Sequence, residues 1–206
     1  MQRVEHAAAF VLHQRPWGES GRVIELFARE HGRLSVFAQG VRGSRARLAA
    51  VLQPFVPLLV SWAGRGEAPR LTGAEVDPAQ AAGMALPHER VMPAWYLSEL
   101  VLQLTARHDP QPELFAHYAT ALADLRRQQQ SLERTLRLFE KRLLDVLGYG
   151  VAGLDESQFD DAEQLAQLRP VLRAGVARCL EGRPLRTRTV AMSLRELART
   201  RGADGA

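Results

Sequence analysis

Cysteine occurs once in these 206 residues, as Cys179, which excludes a disulfide framework and a zinc site built from cysteines. In a helical pattern a lone thiol reads as a small core residue. Lysine also occurs once, as Lys141, so the basic chemistry is almost entirely guanidinium, a planar fork that matches phosphate oxygens two at a time. No apolar run is long enough to cross a bilayer, and Met1 to His6 lacks the apolar block and cleavage site of a secretory signal. The expectation is a cytoplasmic protein with no membrane partner. No two of the six histidines stand at the spacing of a helical metal site, and no glycine pattern cradles nucleotide phosphates. The acidic pairs Asp155-Glu156 and Asp160-Asp161 fit loop and helix starts. The reading is therefore no catalytic residue, no metal and no cofactor.

One further absence is local. From His31 to Gly66 there is no carboxylate, and inside that span Ala38 to Leu52 carries Arg42, Arg45 and Arg47 on a backbone broken by Gly40 and Gly43. Glycine lets a backbone approach a ligand closely, and nothing nearby in sequence cancels the charge. The net charge of +4 is concentrated in the same half. Up to Val76 the chain has ten arginines against six glutamates, whereas the remainder is balanced at 17 basic and 17 acidic residues. Such asymmetry points to an anionic partner for the first part.

Hydropathy patterning divides the chain at Asp77-Pro78. Before it, short apolar runs are broken by turn residues, as in a small all-β unit. These runs cover Ala7 to His13, ended by Pro16-Trp17-Gly18-Glu19, then Arg22 to Ala28, Leu34 to Ala38, Pro54 to Trp62 and about Arg70 to Val76. In the second run Ile24, Leu26 and Ala28 fall on one face and Val23, Glu25 and Phe27 on the other, a period of two. Ala46 to Val51 suits one or two helical turns. Five strands with a helical insert after the third match an OB-fold better than an SH3-like barrel. After Asp77 apolar residues recur at helical spacing. Helices are expected at Met92 to Arg107, Glu113 to Gln128, Leu132 to Leu147 after an N-cap at Ser131, Asp160 to Glu181 bent or split at Pro170, and Thr189 to Arg201, followed by a frayed tail. The fold class is α+β: a basic OB-fold barrel over residues 1–76, then an all-α helical domain over 77–206.

An OB groove binds nucleic-acid strands with a cationic floor and aromatic faces on which bases stack. Arg33, Arg42, Arg45, Arg47 and Arg65 sit in turns or loops of the expected barrel, and Trp17, Phe37 and Trp62 lie near strand ends. The first five and Trp17 are the candidate nucleic-acid contacts; Phe37 and Trp62 also suit a core. In the helical part Arg126, Arg127, Arg134, Arg137, Lys141 and Arg142 form a basic run whose default is a solvated face, supported by Glu133 four residues before Arg137.

Several stretches resemble the RecO family of bacterial recombination mediators. In the first half these are Ala8 to Leu12, Trp17-Gly18-Glu19-Ser20, Leu26 to Arg33, Gly40-Val41-Arg42 and Leu52-Gln53-Pro54-Phe55. In the second they are Tyr96 to Leu100, Leu114-Phe115 with Tyr118, Leu136 to Glu140, Leu147-Gly148-Tyr149, and Leu185 to Leu197. No single motif is diagnostic; their order and spacing carry the resemblance. It implies a non-enzymatic DNA repair protein that binds single- and double-stranded DNA, anneals complementary strands, and works with RecR to help RecA replace single-strand binding protein. It further implies contact between the helical domain and that protein's carboxyl-terminal tail, for which Arg126, Arg134 and Lys141 are the candidates. Many relatives carry a four-cysteine zinc module after the Leu-Gly-Tyr motif; Gly150 to Asp161 has no cysteine. The competing reading is a helical docking adaptor with the barrel as scaffold.

Overall fold

The structure, a computed structural model, describes residues 3–19, 21–39, 46–80 and 85–193. Its first half is a closed barrel of β1 (Arg3–Trp17), β2 (Gly21–Ala28), β3 (Gly32–Ala38), β4 (Leu58–Ala63) and β5 (Arg70–Val76), with α1 (Ala46–Val51) between β3 and β4. Strand order around the barrel is β1-β2-β3-β5-β4, with β3 and β5 parallel at Phe37 and Arg70 and the other pairs antiparallel. This is the OB-fold expected from the sequence. The alternation in β2 and β3 sends Ile24, Leu26, Ala28, Leu34 and Val36 inward, where they meet Val11, Leu58, Val60, Trp62 and Leu71. Full burial of side chains this size contributes about 1.5 to 3 kcal/mol each.

β1 is longer than the apolar run that announces it. Its first part pairs with β4 from Arg3 to Ala9 and its second with β2 from Ala9 to Trp17, with register shifts at Val4/Ala7 and Val11/His13. Such irregularities bend a strand, so one strand serves both sides of a closed barrel. Conversely, the run Pro54 to Trp62 yields strand only from Leu58, because Phe55 takes a left-handed φ of 68° and Pro57 cannot donate to a ladder.

The second half comprises α2 (His88–Leu104), α3 (Pro112–Arg127), α4 (Leu132–Val146) and α5 (Ala162–Leu180), with residues 186–193 also helical. Ser131 caps α4 by accepting from the Arg134 N–H, and Asp161 caps α5 from the Gln164 N–H. α5 runs unbroken through Pro170. The start of the 186–193 helix is capped from a distance: the Glu99 carboxylate accepts from the N–H groups of Arg186 and Thr187 and from the Thr187 hydroxyl.

The change in sequence character at Asp77 is not matched by a break in packing. Phe10, Leu12, Phe27 and Phe55 of the first half belong to the same apolar core as Leu97, Phe115, Tyr118 and Phe139 of the helices. The Phe10 ring lies 5.2 Å from both Phe115 and Tyr118. One outer face of the barrel is therefore a floor for the helices.

Candidate nucleic-acid interface

The outer face of β1, β2 and β3 changes chemistry along its length. Read along β2 it begins with Phe27, fully buried under the helices, passes Glu25, and ends at Val23 beside an open groove. The segment 105–109, between α2 and α3, crosses the sheet at the Glu25 position. His108 donates its N–H to the Arg33 carbonyl at 2.9 Å, and Arg33 returns Nε and Nη2 to the Thr105 carbonyl at 3.3 and 3.0 Å. Arg107 donates to Ser35 Oγ at 2.7 Å and to Glu25 Oε1 at 2.6 Å, while Ser35 Oγ donates to Glu25. Arg33 lies 3.5 Å from the other Glu25 oxygen. Burial works to raise the Glu25 carboxyl, but the Ser35 hydroxyl, Arg107 and Arg33 outweigh it and hold it below the ordinary carboxylate range. Gly32 makes the crossing possible: its φ is +65°, and any Cβ would overlap the Asp109 carbonyl.

Beyond this crossing the groove opens, with a volume of about 560 Å³. Its floor holds Arg15 and Trp17 of β1, Val23, Ser35 and Phe37; one wall is Glu67 and Ala68 in the β4–β5 loop, the other Arg107 and His108. Trp17 is 54% exposed, and the Arg15 guanidinium sits 5.3 Å from its ring centre. Phe37 is half-buried, its N–H donates to the Pro69 carbonyl at 2.9 Å, and its ring lies where a Cβ on Gly21 would come within 2.8 Å. The hairpin glycine thus fixes the ring against the backbone. Arg65 is exposed in the same loop as Glu67 and has no ion pair among the described residues.

Of the residues singled out from sequence, Trp17 and Phe37 converge on this groove and Arg65 stands in the loop that walls it. Trp62 is core, 5% exposed. Arg33 was expected in an open turn; its guanidinium is instead spent on Glu25 and Thr105, because the register that pairs Glu25 with Ser35 brings that acid within reach. Arg42 and Arg45 lie outside the described residues, as does the side chain of Arg47, whose backbone is in α1. Arg15, Arg107 and His108 were not anticipated. The signal for Arg15 was its period-two relation to Trp17; Arg107 and His108 carried none, since only the fold brings them to β3.

Comparison with known proteins assigns the chain to a family. A model described as "Recombination protein O N terminal" matches residues 1–78, and one described as "Recombination protein O C terminal" matches residues 89–198. The chain belongs to the RecO family. A DNA repair protein RecO of Aromatoleum aromaticum is 35% identical over an alignment covering 95% of this chain and 98% of its own length. The DNA repair proteins RecO of Alkalilimnicola ehrlichii and Methylococcus capsulatus are 41% and 45% identical over 91% and 75% of this chain. The aligned parts are 62% of the length of the Methylococcus relative and 59% of that from Nitrosococcus oceani.

Within this RecO-family chain the basic run on α3 and α4 is mostly not a solvated face. Arg137 pairs with Glu140 at 2.8 Å, both deeply buried, rather than with Glu133, which faces Arg169 at 3.5 Å. Arg126 donates Nη2 to the Phe55 carbonyl and braces the barrel against α3. Arg134 is tied to Asp160 at 2.6 Å and Lys141 to Asp145 at 2.8 Å. Gly150 to Asp161, where the resemblance implied a zinc module in many relatives, does not fit such a site. It offers no thiolate, and Cys179 lies on α5 with its thiol pushed up by burial. Arg142 instead grips Glu156 with Nε and Nη2 at 2.8 and 2.6 Å, and Phe159 is buried.

Proposed function

We propose that this RecO-family protein binds single- and double-stranded DNA through the groove on its OB barrel. It anneals complementary strands and, with RecR, helps load RecA onto strands covered by single-strand binding protein, whose carboxyl-terminal tail meets the helical half. The observation that carries the reading is the groove itself, in which an exposed indole and a phenyl ring lie beside cations on the outer face of β1 to β3. Aromatic faces take bases whatever the sequence, each stack being worth about 1 to 3 kcal/mol, and guanidinium groups neutralise phosphates. Annealing needs charge neutralisation and exposed bases, so no acid or base residue has to act. Arg15 and Arg65 supply charge at the groove, and Arg42, Arg45 and Arg47 add to it from the stretch that follows β3. Arg33 stands outside this set, since its donors serve the barrel's junction with the helices.

The test is binding of a fluorescent oligothymidylate across a salt series. With five to six phosphate contacts the log-log slope is about −3.5 to −4.2. A slope near zero, or unchanged affinity in a combined Arg42, Arg45 and Arg47 to alanine variant and in Trp17→Ala, would favour the docking-adaptor reading.

A further inference from the structure

The groove has two walls, and only one belongs to the barrel. The other is Arg107 and His108, delivered from between α2 and α3. Arg107 is no passive neighbour: two of its N–H groups are spent on Ser35 Oγ and Glu25 Oε1, which fixes the plane of the guanidinium. A guanidinium has five N–H donors, so three remain. Its side chain is 44% exposed. Glu25 is shared with Arg33, so the cluster of two arginines and one carboxylate keeps a net positive charge at the closed end of the groove.

The adjoining backbone is equally committed. His108 takes a left-handed φ of 58° while its N–H donates to the Arg33 carbonyl, and the close approach of Asp109 is what Gly32 permits. The side chains of residues 107 and 108 therefore enter the groove only while the helical half is docked on the sheet. The aromatic residues lie toward the hairpin end of the groove, and the Arg107 cation at its closed end.

From this we infer that the strand-binding site is composite: Arg107, projected from the helical half and aimed by Glu25 and Ser35, contacts a phosphate of the strand whose bases stack on Trp17 and Phe37. The inference rests on the groove being the strand-binding site, and extends it to a residue outside the barrel. Docking of the helices is then a condition of full DNA affinity as well as of stability.

The experiment uses the full chain and a fluorescent oligothymidylate. Arg107→Gln removes the charge while leaving an amide that can still donate to Glu25. It is expected to weaken binding about 5- to 10-fold and to make the log-log salt slope shallower by about 0.7, one single-strand phosphate. His108→Asp serves as a second variant that leaves the Arg107 contacts untouched, since aspartate tolerates the left-handed backbone; an added anion at this wall is expected to weaken binding several-fold. Thermal melts establish that each variant is folded. If Trp17→Ala weakens binding while Arg107→Gln and His108→Asp match the wild type in affinity and slope, the composite site is wrong and the barrel groove stands. If Trp17→Ala and Arg15→Ala also bind normally, the groove reading fails and takes the inference with it.

Discussion

Three residues each carry a consequence out of proportion to their size. Gly32 combines a φ of +65° with an Asp109 carbonyl where a Cβ would be. Gly32→Ala is expected to cost about 2 to 4 kcal/mol in urea denaturation, through backbone strain and a displaced junction. Glu25 has its carboxyl held below its ordinary range, burial being outweighed by Ser35, Arg107 and Arg33. The folded state then binds fewer protons than the unfolded one. Its stabilisation is present above the ordinary carboxylate pKa and is lost as pH falls through the lower folded value. In Glu25→Gln the acid limb of a stability-against-pH curve is expected to be flatter than in the wild type. Glu140 has the opposite sign: burial raises it more than Arg137 and Tyr96 lower it. It accepts from the Tyr96 hydroxyl at 2.5 Å and forms an ion pair with Arg137 Nη2 at 2.8 Å, leaving its second oxygen and two Arg137 nitrogens without hydrogen-bond partners among the described residues. Glu140→Ala strands a buried guanidinium and is expected to cost about 3 to 5 kcal/mol, whereas the triple variant Tyr96→Phe, Arg137→Met and Glu140→Leu recovers most of that. Equilibrium unfolding of the two variants checks it.

Among the elements, β2 and the segment after α4 are the informative ones. The alternation of β2 was legible: Ile24, Leu26 and Ala28 enter the barrel, and Val23, Glu25 and Phe27 face out. What covers that outer face was not legible, because a period of two assigns sides and not neighbours. The helices claim Phe27, the 105–109 segment claims Glu25, and Val23 is left to the groove. The same gap explains Arg33, expected among the DNA contacts from its place at a turn, although Glu25 stands eight residues before it across the hairpin and takes its guanidinium. After α4, Gly150 to Asp161 is held by side chains. Asp155 closes a capping box, Arg142 grips Glu156, Arg134 grips Asp160, and Phe159 is anchored in the core. A chelator is expected to leave the melting temperature unchanged. Phe159→Ala costs about 3 to 5 kcal/mol, and Glu156→Gln, breaking a partly exposed pair, about 1 kcal/mol. Loss of stability on chelation would mean a metal is bound elsewhere.

At the scale of the whole molecule, barrel and helices share one apolar core, so the two patterns that divide the sequence at Asp77 describe composition and not independence. The five strands of the first half, the helical turns after the third strand and the helices described in the second half followed from local periodicity and turn residues. The composite character of the groove did not, since Arg107 meets Ser35 across 72 residues. Stacking of bases on Trp17 is the central contact of the proposed function. Of the three tryptophans, Trp62 is buried in the barrel and Trp95 packs edge-on against Phe55 at 4.8 Å, so Trp17 is the one a strand can reach. The most direct measurement is a titration of intrinsic tryptophan fluorescence with oligothymidylate, in the wild type and in Trp17→Phe. Stacking on Trp17 is expected to give saturable quenching that disappears in the variant; quenching that persists there, or binding by the wild type with no quenching at all, would rule it out.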